Sequence, residues 1–145
     1  MRSGVNSRLD ELQAAVLRTR LPMLPRWTAR RRALAARYRR LLTGVVRPLS
    51  CRDEGHVYHL FVVRSSERDA LQEHLSASRI ETLIHYPIPM TDQPAFEPWK
   101  RNDCPRAACA TREILSLPLH QRLTDTDVER VCLGIDAFQK GRTPA

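Results

Sequence analysis

Five prolines fall between residues 87 and 105 (Pro87, Pro89, Pro94, Pro98 and Pro105). Each lacks a backbone donor and restricts the residue before it, so no continuous helix or strand can cross the stretch. Regular structure is therefore confined to either side, with an ordered but irregular loop between. On the N-terminal side, Ser7 and Asp10 are spaced as a capping box with Asp in place of Glu or Gln. Leu9, Leu12, Val16 and Leu17 recur at helical spacing and predict an amphipathic helix over 8–20. Pro22 and Pro25 interrupt it, and Pro25 is placed to open a second helix over 25–43. Trp27, Leu34, Tyr38, Leu41 and Leu42 mark the buried stripe of that helix, and Gly44 ends it.

The segment HVYHLFVVR (56–64) is rich in β-branched and aromatic residues and reads as a strand. Ser66 and Asp69 repeat the capping pattern before a helix carrying Leu71 and Leu75. A second short strand, TLIHY (82–86), stops at Pro87. Beyond the loop, a short helix over 105–114 leads into LSLPL as a third strand. Thr124 with Asp127 caps a last helix whose core face is Val128, Val131, Ile135 and Phe138. The expected fold is α+β: two leading helices, then a small sheet covered by helices, in a chain of one domain's length. No strand precedes the two helices, so one of their faces is expected to lie on something the chain does not supply.

Charge is unevenly spread. Residues 1–50 hold twelve arginines against Asp10 and Glu11, and only two lysines, Lys100 and Lys140, occur anywhere. The helix RWTARRRALAARYRRLL has the arginine density of a phosphate-binding surface. The same arginines flank an apolar stripe that a packed helix needs anyway, so nucleic acid is the less favoured partner. Cys104, Cys109 and His120 are too widely spaced for a zinc site, and no metal is expected. Neither G-x-S-x-G nor a glycine-rich phosphate loop occurs. No apolar run is long enough for a membrane span, and four scattered cysteines suit a reduced, cytoplasmic setting. Of five histidines, His74 is expected at the surface. His85 is singled out because it ends a strand and enters the rigid Tyr86-Pro87-Ile88-Pro89 run, where ligand contacts collect.

Five blocks in order, GVNSRLDELQAAVL, LPMLPRWTARRRALAARY, HVYHLFVVR, IHYPIP and LSLPLH, resemble the DegT/DnrJ/StrS family of sugar aminotransferases from residue 4 to residue 138. The resemblance implies the small C-terminal domain of a fold type I aminotransferase, residues 1–145. The large domain, with the lysine that holds pyridoxal phosphate, would lie upstream. Family members use that cofactor and an amino donor, usually glutamate, to aminate a keto group on a nucleotide-linked sugar. They do so as homodimers with a shared active site.

By this resemblance Asn6 reaches the cofactor phosphate of the other subunit, although sequence alone favours a turn or cap role for it. Arg8 lies near the substrate, or is a plain surface arginine. His85 and Tyr86 border the sugar-nucleotide site, in wording closest to members acting on dTDP-linked keto-deoxysugars. Ser116 and His120 are read as structural. Neither Lys100 nor Lys140 occupies the place of the catalytic lysine, so no catalytic residue is assigned and the chain alone is expected to be inactive. The alternatives are a non-catalytic interaction module derived from the family and a basic nucleic-acid-binding domain.

Overall fold

The strongest local signal in the sequence, the Thr124–Asp127 pair, closes a reciprocal cap on the helix Asp125–Lys140. Thr124 Oγ1 accepts from Asp127 N, and Asp127 Oδ2 accepts from Thr124 N at 2.8 Å. A computed structural model describes residues 10–50, 53, 55–99 and 104–141. Its helices are α1 (Glu11–Arg20), α2 (Leu24–Leu41), α3 (Arg68–Ala77), α4 (Pro105–Glu113) and α5 (Asp125–Lys140). Strands β1 (Arg47–Pro48), β2 (Phe61–Arg64) and β3 (Ile114–Leu117) form one antiparallel sheet in the order β1-β2-β3. The α+β expectation is met.

Alternation along β2 sends Phe61 and Val63 into the core. There they meet Leu34 and Tyr38 of α2, Leu71 and Leu75 of α3, and the predicted stripe Val128, Val131, Ile135 and Phe138 of α5, all buried. Tyr38 stacks on Phe61 at 4.8 Å between ring centroids and donates its hydroxyl to Pro118 O at 3.0 Å. Burial pushes the Tyr38 phenol well above its ordinary range and the Cys132 thiol up to about 11. Gly44 stands at φ +91°, where a side chain would be strained and would collide with Gln139. Gln139 Oε1 accepts from the Val45 and Val46 amides, locking the turn from α2 into β1.

Several expected boundaries move. The first helix starts at Glu11, with Asp10 itself as the cap, accepting from Gln13 N at 2.7 Å; Ser7 and Leu9 lie outside the described residues. Pro22 does not break the chain, because a 3₁₀ turn (Leu21–Met23) passes straight into α2. The strand expected over 56–64 is regular only from Phe61, since Tyr58 adopts φ 50° and its carbonyl is taken by an arginine rather than by a neighbouring strand. Before α3, Ser65 rather than Ser66 supplies the side-chain acceptor, for Glu67 N. The segment 82–86 shrinks to a single bridge between Leu83 and Ser116. The proline-rich stretch carries two 3₁₀ turns, Met90–Asp92 and Pro94–Trp99. His74 is half-buried, with Nε2 3.1 Å from Gly134 O and its ring against Phe138, which corrects the surface assignment.

The apolar stripe of α1 is present but uncovered: Leu12 is 76% exposed, Leu17 56%, and no residue of the helix is buried. No helix among the described residues is long and apolar enough to cross a membrane.

Candidate functional site

The bridge between Leu83 and Ser116 fixes the site. Leu83 N donates to Ser116 O at 3.2 Å and Ser116 N to Leu83 O at 2.8 Å, laying the segment after α3 against the outer edge of β3. Two residues on, His85 Nδ1 lies 3.0 Å from Ser116 Oγ. The peptide to Tyr86 is cis, and the Tyr86 ring stands edge-on to the imidazole at 5.7 Å, 71% exposed. His85 and Ser116 share a groove of about 290 Å³ with His59, Glu81, Thr82 and His120. Thr82 Oγ1 is buried in its wall with no hydrogen-bond partner among the described residues.

The opposite wall is set from α2. One nitrogen of Arg31 donates to Tyr58 O at 2.8 Å, His59 O at 3.1 Å and Leu119 O at 3.2 Å, tying the loop before β2 to the loop after β3. Its neighbours are engaged in the same way. Arg30 donates to Leu123 O and pairs with Asp125 at 3.0 Å, Arg32 donates to His56 O, and Arg39 to Leu49 O. Arg37 pairs with Asp125 at 3.2 Å and with Glu129. The basic density of α2 therefore serves the fold: five guanidinium groups hold loops and the start of α5.

A serine 3.0 Å from an imidazole is also the beginning of a nucleophilic pair. Here Ser116 lines the groove but is only 6% exposed, and no carboxylate bonds the other ring nitrogen of His85 among the described residues. The pair can orient a ligand but is not built to attack one. Imidazoles and hydroxyls beside apolar Leu83 and Leu117 suit a ligand rich in hydroxyl groups.

The groove does not suit a phosphorylated aldehyde cofactor. No lysine or arginine lines it, and Glu81 would repel a phosphate. Lys140, at the end of α5, is the sole lysine among the described residues. Asn6, Arg8 and Lys100 lie outside the described residues. No group of three His, Cys, Asp or Glu side chains is placed to hold a metal ion among the described residues. Cys109 instead donates to Glu113 at 3.2 Å beside Arg64.

His85 lines the groove with Ser116 and His59, Tyr86 stands against the His85 ring, and Arg31 reaches this region through the carbonyls of Tyr58, His59 and Leu119. A sequence scan had no signal for Arg31, one of a crowd of arginines, or for Ser116, inside an apolar strand.

A sequence model of the DegT/DnrJ/EryC1/StrS aminotransferase family matches residues 1–136. The chain is 45% identical over 142 residues to a dTDP-3-amino-3,4,6-trideoxy-alpha-D-glucose transaminase of Streptomyces venezuelae, covering 94% of the chain and 37% of that protein. It is 42% identical to a dTDP-3-amino-3,6-dideoxy-alpha-D-galactopyranose transaminase of Aneurinibacillus thermoaerophilus, covering 93% of the chain and 38% of that protein. The crystal structure of S. venezuelae DesV in complex with a ketimine intermediate superposes with a TM-score of 0.88 at 41% identity, covering 97% of the chain and 39% of DesV. The chain thus spans less than two-fifths of the length of these relatives.

Proposed function

The chain belongs to the DegT/DnrJ/EryC1/StrS aminotransferase family, and from that membership we propose that it is the C-terminal portion of a pyridoxal-phosphate-dependent nucleotide-sugar aminotransferase. The complete enzyme would move an amino group from glutamate to a keto-deoxysugar nucleotide, as a cytoplasmic homodimer. The observation that carries this reading is likeness along nearly the whole chain to two transaminases named for dTDP-amino sugars. The uncovered apolar residues of α1 support a missing partner surface, either the large domain or a second subunit.

In the complete enzyme the cofactor supplies the electron sink for transfer of the amino group. The present residues would contribute recognition. His85 and Tyr86 would border the sugar, with the groove excluding water from one side of it. Asn6 would donate its amide to the cofactor phosphate across the dimer, and Arg8 would offer its planar fork to a substrate phosphate or carboxylate. None of these side chains is an amine able to hold the cofactor, so the 145 residues alone are proposed to be inactive.

A chimera tests the reading. Residues 4–138 replace the matching segment of the S. venezuelae transaminase, and amino transfer from glutamate to its ketosugar nucleotide is assayed. Transfer within about tenfold of the parent is expected, a loss of roughly 1.4 kcal/mol or less in transition-state stabilisation. A folded chimera that binds the cofactor yet transfers nothing contradicts the proposal.

A further inference from the structure

Sequence gives Ser116 no role beyond structure, and three features of the groove assign it one. Its backbone is committed in both directions to Leu83, so the residue is held in place by the bridge. The residue is 6% exposed, and its hydroxyl lies 3.0 Å from His85 Nδ1, its one hydrogen-bond partner among the described residues. His85 has no hydrogen bond at its other ring nitrogen there, and its ring lines the groove.

A buried hydroxyl with one acceptor in reach donates to it, because a buried donor left unbonded is destabilising. Donation requires a lone pair on Nδ1, which places the imidazole proton on Nε2. The reverse polarity would satisfy Nδ1–H but leave the serine proton buried without an acceptor. We infer that Ser116 is a positioning residue: it holds His85 with its proton on Nε2, so that the groove offers a hydrogen-bond donor to an oxygen acceptor. The class of ligand selected is one with a hydroxyl or carbonyl oxygen at that point. Its identification as a sugar nucleotide rests on the function proposed above.

The experiment uses the full chain labelled with ¹⁵N-histidine. Two-bond ¹H–¹⁵N spectra, taken well above the ordinary histidine range of about 6.5, report which ring nitrogen carries the proton. The wild type is expected to show His85 unprotonated at Nδ1 and protonated at Nε2. S116A should move His85 toward the averaged pattern of an unrestrained imidazole, and S116T should restore the fixed one. Unchanged signals from His74, half-buried between α3 and α5 with Nε2 beside Gly134 O, report that the variants are folded. A wild-type His85 protonated at Nδ1, or an S116A spectrum equal to the wild type, overturns the assignment, and the first needs no variant at all.

Titration with dTDP-glucose then separates the two claims. Displacement of the His85 Nε2 signal, with about tenfold more ligand needed in S116A, is the expected result, the weight of one aligned hydrogen bond. Equal affinity in S116A and wild type overturns the positioning role. If dTDP-glucose moves no His85 signal in any variant while the tautomer responds as stated, Ser116 keeps its role and the sugar-nucleotide reading of the groove fails.

Discussion

Tyr38 joins three parts of the molecule through one side chain. Its ring stacks on Phe61 of β2, its backbone belongs to α2, and its hydroxyl bonds Pro118 O after β3. Y38F keeps the ring and removes the hydrogen bond, and should cost about 1 kcal/mol of unfolding free energy. Y38A also opens a cavity and should cost about 3–5 kcal/mol; denaturant titration measures both. Arg31 acts at the same scale, with one nitrogen serving three carbonyls. Lysine lacks the rigid guanidinium plane that carries this nitrogen to all three carbonyls. R31K and R31A should both destabilise by about 1–3 kcal/mol and speed amide exchange over residues 56–60, while amides within α5 keep their protection. The sequence made the buried stripe Leu34, Tyr38 and Leu42 visible because burial follows helical period. It left hidden which arginines turn inward, since that depends on a carbonyl 88 residues away. The meeting of His85 with Ser116, 31 residues apart, was hidden for the same reason.

Elements with their signals written locally were legible, and those made by tertiary contact were not. The last helix was read correctly because its cap and its apolar spacing both lie within its own residues. The segment 56–60 has strand composition, yet Arg31 and Arg32 take carbonyls of Tyr58, His59 and His56, so it is held as an irregular strap. Removing the cap with T124A should cost about 1 kcal/mol. It should also flatten part of the acid dependence. The Thr124 side chain and backbone hold the Asp127 carboxyl below its ordinary value of 3.8, and Arg64 holds Glu113 below its ordinary 4.5. Both groups are depressed in the folded state, so their stabilisation is full above those ordinary values and is lost as pH falls through the lower, folded ones. A thermal midpoint followed downward from pH 4.5 should therefore fall more steeply in wild type than in T124A or E113Q. Helix α1 behaves oppositely to α5. Its stripe is exposed, so L12Q and L17Q should change the unfolding free energy of the chain by no more than about 0.5 kcal/mol. A larger loss would mean that the stripe is already covered.

As a whole, the molecule carries a net charge of +8, with its basic half built around α2. Part of that charge is met inside the fold, where Arg30 and Arg37 pair with Asp125 and Glu129 of α5. The remaining asymmetry is of surface: a buried core shared by α2, α3, α5 and the sheet, an uncovered first helix, and a groove lined by imidazoles and hydroxyls with no lysine or arginine in its wall. On the function proposed above, these features suit a piece that recognises a substrate and leaves the bond-making group to another part of the enzyme. On the proposed function, no lysine of this chain serves as the catalytic amine. This is tested by titrating pyridoxal phosphate into the purified chain and following its visible absorbance, with K100A and K140A as controls. No stable, protein-specific band is expected in any of the three. A stoichiometric band in the wild type that disappears in K100A or K140A would contradict it.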